Sequence, residues 1–209
     1  MQRIYLIIFL MLFVVCTAEA ASPPEMPFIR LNTALHSAKI MDIATDAHLS
    51  RLVTASFDKT AKMWDADSGK LLKTFRPPIG GGLEGTLFAV AISPDGSMVA
   101  AAGWTGFSWN KAFCVYLFDV NRGEIIKRLT GFNQAIQRLA FSPNGKRLAV
   151  GLNNSGGVRV INLDDNRRVL EDRSFEGNCF GLQFDQQGNL VASSDAGVIR
   201  LYRVDGSTV

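Results

Sequence analysis

This sequence predicts an all-β fold, on three observations. One layout recurs four times after residue 35: a short apolar strand, a turn, a second apolar strand, a polar turn, and a third strand that closes on a bulky residue. The closing residues Trp64, Phe118, Ile161 and Tyr202 lie 54, 43 and 41 residues apart, and about 40–45 residues carrying four short strands is the period of a propeller blade. No segment after residue 35 keeps a helical period for three turns. The expected architecture is a β-propeller of four-stranded antiparallel blades, about four of them in this chain and part of a larger ring.

The elements justify this in order. The first turns are Asp46-Ala47-His48, Pro94-Asp95-Gly96, Pro143-Asn144-Gly145 and Gln186-Gln187-Gly188. Around them, Phe88 to Ile92 and Arg147 to Val150 are short apolar runs bounded by turn residues, which read as strands. Third strands are expected at Ala61–Trp64, Val115–Phe118, Val158–Ile161 and Ile199–Tyr202; Lys62-Met63-Trp64 and Arg159-Val160-Ile161 alternate polar with apolar. Fourth strands follow turns such as Asp67-Ser68-Gly69 and run through Leu71–Phe75 and Ile125–Leu129. The second unit is longer because two loops expand it, Pro77–Gly85 and Trp104–Phe113. Phe28 to Asn32 reads as a lone outer strand. The fourth strand of the last unit should begin near Val209, so further blades are expected beyond it.

The first residues stand apart from this pattern. Ile4 to Cys16 is an unbroken apolar run of 13 residues behind Arg3, and Ala18-Glu19-Ala20 places small residues where a signal peptidase reads. A membrane span needs about 20 apolar residues. Residues 1–20 are therefore expected to be a signal peptide and 21–209 the propeller, exported to the periplasm or the medium without stable membrane insertion. The composition is that of a globular chain, 47% hydrophobic and 20% charged, with a net charge of +3. So small and evenly spread a charge excludes nucleic acid as the natural partner. Cys114 and Cys179 are expected to be buried free thiols.

Ser56 to Asp65 carries a resemblance that narrows the class. Ser-Phe-Asp-Lys-Thr-Ala-Lys-Met-Trp-Asp is similar to the closing motif of the WD-repeat family, and His36 stands 28 residues before Trp64, where that family places a histidine. The resemblance implies a buried hydrogen-bonded tetrad of His36, Thr54, Asp58 and Trp64. Indole N–H only donates, hydroxyl does both, neutral imidazole bridges and carboxylate only accepts, so the four close one chain of donors and acceptors. The other units end Phe118-Asp119, Ile161-Asn162 and Tyr202-Arg203 and lack the histidine, so only the first blade should carry the network. The family usually closes a ring of seven blades. Arg76-Pro77-Pro78-Ile79-Gly80, Glu84-Gly85 and Gly103-Trp104-Thr105-Gly106 further resemble exported bacterial members, in which the propeller is sometimes joined to a caspase-like peptidase domain.

No catalytic residue, metal site or cofactor is expected. His36 and Asp58 belong to the tetrad, His48 falls in a turn, and zinc needs three or four converging ligands that no His or Cys spacing offers. Gly80-Gly81-Gly82 lacks the Lys and Ser/Thr of a phosphate-binding loop. The second unit's loops are the expected binding patch for other proteins: Trp104, Phe107, Trp109 and Phe113 crowd one loop that a rigid scaffold holds. The expected function is a non-catalytic protein-binding scaffold. The rival is the regulatory or substrate-recruiting portion of a larger enzyme, such as a caspase-like peptidase.

Overall fold

A computed structural model describes residues 35–204. The expected signal peptide and the outer strand expected at 28–32 lie outside the described residues. Four antiparallel sheets follow one another along the chain, each a simple meander. The first orders β1 (Ile40–Thr45), β2 (Arg51–Ser56), β3 (Ala61–Asp65) and β4 (Leu71–Phe75). The second orders β5 (Thr86–Ile92), β6 (Met98–Trp104), β7 (Phe113–Asp119) and β8 (Ile125–Phe132), with the one-turn helix α1 (Phe107–Asn110) between β6 and β7. The third orders β9 (Ile136–Phe141), β10 (Arg147–Leu152), β11 (Val158–Asn162) and β12 (Arg168–Asp172). The fourth has three strands among the described residues, β13 (Cys179–Phe184), β14 (Leu190–Ser194) and β15 (Ile199–Tyr202), where four-stranded blades were expected throughout.

One device closes the first turn of every blade. A side chain just after the first strand accepts the amide that opens the second: Ser50 N–H to Asp46 Oδ1 at 2.8 Å, Met98 to Ser93 Oγ at 2.9 Å, Arg147 to Ser142 Oγ at 2.9 Å, and Asn189 to Asp185 Oδ1 at 2.8 Å. Short Asp and Ser side chains reach their own backbone a few residues on, which fixes a tight reversal and with it the strand register.

The blades stack through three apolar cores. Between the first and second, Val53, Ala55, Ala61, Met63 and Phe75 meet Val90, Ile92, Val99, Tyr116 and Phe118. Between the second and third, Ala100, Val115 and Leu117 meet Leu139, Leu148, Val150 and Ile161. Between the third and fourth, Ala149, Val158 and Val160 meet Cys179, Leu190, Ala192 and Tyr202. The first strands pack on one another, β1 on β5, β5 on β9 and β9 on β13, which puts them innermost, with the fourth strands outermost. Small residues such as Ala89, Ala91, Ala100 and Ala102, all buried, let neighbouring sheets approach closely.

Polar side chains stitch the same junctions. Lys73 on β4 donates to Val120 O at 2.8 Å, and Lys127, at the same position of β8, donates to Leu163 O in the next blade. At the last junction Asp172 accepts from Arg200 at 2.5 Å and from the Tyr202 hydroxyl at 2.7 Å. Burial alone would raise the Asp172 carboxyl, but these bonds and those from Ser174 outweigh it and hold the group at about 2. Cys114 and Cys179 are free and buried in separate cores, and burial pushes both thiols up, Cys179 to about 12. Thiolate, the nucleophile and metal-binding form, is therefore scarce at either cysteine at neutral pH.

Candidate functional site

Two sites carry the chemistry, one structural and one on the loops. In the first blade, β2 supplies Thr54, the β2–β3 turn Asp58, β3 Trp64, and the segment before β1 supplies His36. Trp64 Nε1 donates to Thr54 Oγ1 at 2.9 Å, Thr54 Oγ1 meets His36 Nε2 at 2.8 Å, and His36 Nδ1 meets Asp58 Oδ2 at 2.8 Å. An ionised carboxylate only accepts, so Nδ1 carries the proton, and neutral imidazole then accepts the Thr54 hydroxyl at Nε2. The His36 side chain is 2% exposed and that of Asp58 7%, too enclosed for either to meet a substrate. Burial alone would raise the Asp58 carboxyl, but hydrogen bonds from Thr60, His36 and the Ser37 amide hold it below the ordinary carboxylate range. The arrangement pins the chain before β1 onto the tight turn at Asp58.

The second site is the pair of expanded loops in the second blade. Glu84, only 2% exposed, joins them. Its Oε1 accepts the Gly106 amide at 2.6 Å, and its Oε2 accepts the Ser108 amide and hydroxyl at 3.3 and 3.2 Å. Lys59, from the β2–β3 turn of the first blade, donates to Gly80 O at 3.1 Å on the same end of the molecule. Gly106 is fixed by its surroundings: φ is +82°, and a Cβ there would lie 2.4 Å from Cys114 Sγ. Any side chain at that position must displace the start of β7.

The aromatic loop is less exposed than the sequence led us to expect. Phe113 opens β7 and is 4% exposed, packed with Trp104 at 5.1 Å and Phe107 at 5.0 Å between ring centroids. Trp104 and Phe107 are partly exposed and rest on the core between the second and third blades. Phe113 is thus a core residue and not part of a contact patch: at the first position of a strand its side chain turns inward. The Trp109 side chain lies outside the described residues. What the loops do present is aliphatic, with Ile79 62% and Leu83 52% exposed. The sequence signal for them was weak, since isolated aliphatic residues in a Pro/Gly-rich stretch carry no period. Lys111 lies over the Phe107 ring at 5.8 Å, so the loop between β6 and β7 carries a cation.

A basic cluster occupies the corresponding strand ends of the third blade. Arg159 is bonded to Glu171 at 2.9 Å, and Arg168 and Arg173 reach the same carboxylate. Burial alone would raise Glu171, but Arg173, Arg159 and Arg168 together hold it below its usual range. With Ser155, Gly156 and Asn133 they line a depression of about 350 Å³. Among the described residues no group of three or more His, Cys, Asp or Glu side chains converges on a point that could hold a metal ion. No helix of the described residues is long and apolar enough to cross a membrane.

Antiparallel sheets stack as blades, with a His–Thr–Asp–Trp chain in the first, and the family model described as WD domain, G-beta repeat matches residues 31–65 and 123–162. The chain carries WD repeats. It is 29% identical to the small ribosomal subunit protein RACK1 of Caenorhabditis elegans over 164 residues, which is 73% of this chain and 46% of that protein. It is 34% identical to eukaryotic translation initiation factor 3 subunit I of Drosophila erecta over 136 residues, 62% of this chain and 40% of that protein. It is also 31% identical to apoptotic protease-activating factor 1 of Rattus norvegicus over 116 residues, 56% of this chain and 8% of that protein. The chain spans less than half the length of each. All three relatives are eukaryotic proteins, where exported bacterial members were expected from the loop motifs.

Proposed function

We propose that the chain is a non-catalytic scaffold that holds protein partners on the loop face of its second blade. The observation that carries this reading is a pair of exposed aliphatic side chains, Ile79 and Leu83, on a loop that Glu84 fastens to its neighbour. A fixed apolar patch loses little conformational entropy on binding, which is what makes a rigid loop a good docking surface. Lys111 and the arginines around Glu171 favour a partner whose contact segment is apolar with an acidic flank. Export remains part of the proposal, on the apolar run Ile4–Cys16 and the small residues at Ala18 and Ala20; N-terminal sequencing of the secreted form should then begin at Ala21.

The test is an Ile79→Asp, Leu83→Asp double variant. Both side chains are more than half exposed, so the variant should fold and melt as the parent does. It should lose at least ten-fold in affinity for the proteins that the parent retains from its native extract, since burying two charges at an interface costs more than the about 1.4 kcal/mol that a factor of ten represents. Retention of the same partners at the same strength would move the contact surface elsewhere.

A further inference from the structure

We propose that the cleft between the outer strands of the second and third blades binds one phosphate monoester dianion, carried on a side chain of a protein partner. The donor groups gathered there carry the argument. Arg159 on β11, Arg168 opening β12 and Arg173 just beyond it line the depression of about 350 Å³ with Asn133 and Ser155, all side chains that donate hydrogen bonds. No acidic side chain is part of the lining among the described residues. Glu171 pairs the three arginines at 2.9, 3.3 and 3.1 Å, and three guanidiniums against one carboxylate leave a residual charge of +2. A phosphate monoester, at about −1.5 to −2 near neutral pH, balances that surplus, and a carboxylate does not. Glu171 also has far fewer acceptor sites than the guanidiniums have N–H donors. Arg168 Nε and Nη2 and Arg173 Nη1 make no hydrogen bond among the described residues.

The cations are in place before any ligand arrives. Arg159 is 4% exposed. Its Nη1 and Nη2 donate to Gly131 O and Asn133 Oδ1, each at 3.2 Å, and its guanidinium lies 5.3 Å from the centre of the Phe132 ring. Gly131, at φ +89°, lets Arg168 lie against β8: a Cβ there would stand 3.1 Å from Arg168 Nη2. Burial holds the Arg159 guanidinium below its usual value, and repulsion from Arg168 and Arg173 adds to this; a bound dianion relieves the repulsion. Donors already fixed in position lose little side-chain entropy on binding and form charge-assisted bonds to phosphate oxygens. The next junction has no such surplus. Arg200 holds Arg159's strand position one blade later and meets Asp172 one to one. The whole chain carries only +3, so one confined dianion fits and a long polyanion does not. The protein carrier of the phosphate rests on the scaffold reading above; the site itself does not.

Calorimetric titration of the purified chain tests it, with inorganic phosphate and three capped tripeptides as probes: glycine-phosphoserine-glycine, glycine-glutamate-glycine and glycine-serine-glycine. The phosphoserine peptide should bind at least ten-fold more tightly than the glutamate peptide and no less tightly than inorganic phosphate, and the serine peptide should not bind. Arg168→Gln with Arg173→Gln should weaken phosphoserine binding at least ten-fold. Those side chains are 42% and 74% exposed, so the variant should melt as the parent does. Arg122→Gln with Lys146→Gln removes the same charge from exposed turns at the opposite strand ends and should leave binding unchanged. Should the first double variant fail to fold, Arg173→Gln alone reports on the same site, and binding should again weaken. Ile79→Asp with Leu83→Asp should bind the phosphoserine peptide as the parent does, so failure of the loop patch and failure of this site read out separately. Absent phosphoserine binding, equal binding of the glutamate peptide, or equal losses in the two charge-removing double variants overturns the proposal. Binding of inorganic phosphate without the peptide assigns the site to the free ion and overturns the protein-borne carrier.

Discussion

Leu117→Ala is expected to destabilise the fold by about 2–5 kcal/mol, while Leu201→Ala, the same residue at the same register position two blades later, costs about 0.5 kcal/mol or less. Leu117 is 1% exposed between the second and third blades, against Leu148 and Val150. Truncating it removes the transfer free energy of three carbons and leaves a cavity that two sheets, tied by Lys127 to Leu163, cannot readily collapse. Leu201 is 66% exposed and leaves no cavity. Urea midpoints of the two variants against the parent make the comparison. Equal losses would show that Leu201 is covered in the folded protein, contrary to its exposure.

Asp58→Ala is expected to cost about 1–3 kcal/mol, the penalty for leaving buried donors unsatisfied. The donors orphaned are His36 Nδ1, the Ser37 amide and the Thr60 hydroxyl and amide. The effect has a pH signature. Asp58 sits below its ordinary value in the fold, so the unfolded chain takes up this proton first as pH falls. The carboxylate's stabilisation is complete above about pH 4 and is lost as pH falls through the lower folded value. Asp58→Ala should therefore lose less stability than the parent as pH falls below about 4, measured as denaturant midpoints along the acid limb. Asn162→Ala in the third blade, where no tetrad exists, should leave the same acid limb unchanged. An identical acid limb in the parent and Asp58→Ala would remove Asp58 from the network.

The blade pattern was legible because propeller strands are short, apolar and separated by turn residues at a steady spacing. Leu71–Phe75 and Ile199–Tyr202 have the bounds expected of them. The polar chain in the first blade came from the resemblance of Ser56–Asp65 to the WD-repeat motif, and hydrogen bonds join its four residues. The loops resisted. Helix α1 is four residues long, too short to show a period. Strand β7 begins at Phe113, two residues before its apolar run suggested, and that shift turns Phe113 from loop surface to core. Glu84 was passed over because its role depends on two loops meeting across 22 and 24 residues of sequence, which no local motif records. The turn-closing series Asp46, Ser93, Ser142 and Asp185 was visible in the sequence, one residue beyond each first strand, once the repeats are aligned.

The claim at the centre of this account is that partners dock on the loop face, and amine cross-linking of the captured complex followed by mass spectrometry tests it most directly. Lys59 and Lys111 stand on the loop face, Lys111 exposed and Lys59 beside Gly80. Lys70, in the β3–β4 turn, and Lys146, in the β9–β10 turn, stand at the opposite strand ends. The account predicts links from Lys111 and Lys59 to the partner, and their disappearance with Ile79→Asp, Leu83→Asp. Links confined to Lys70 and Lys146 would contradict it.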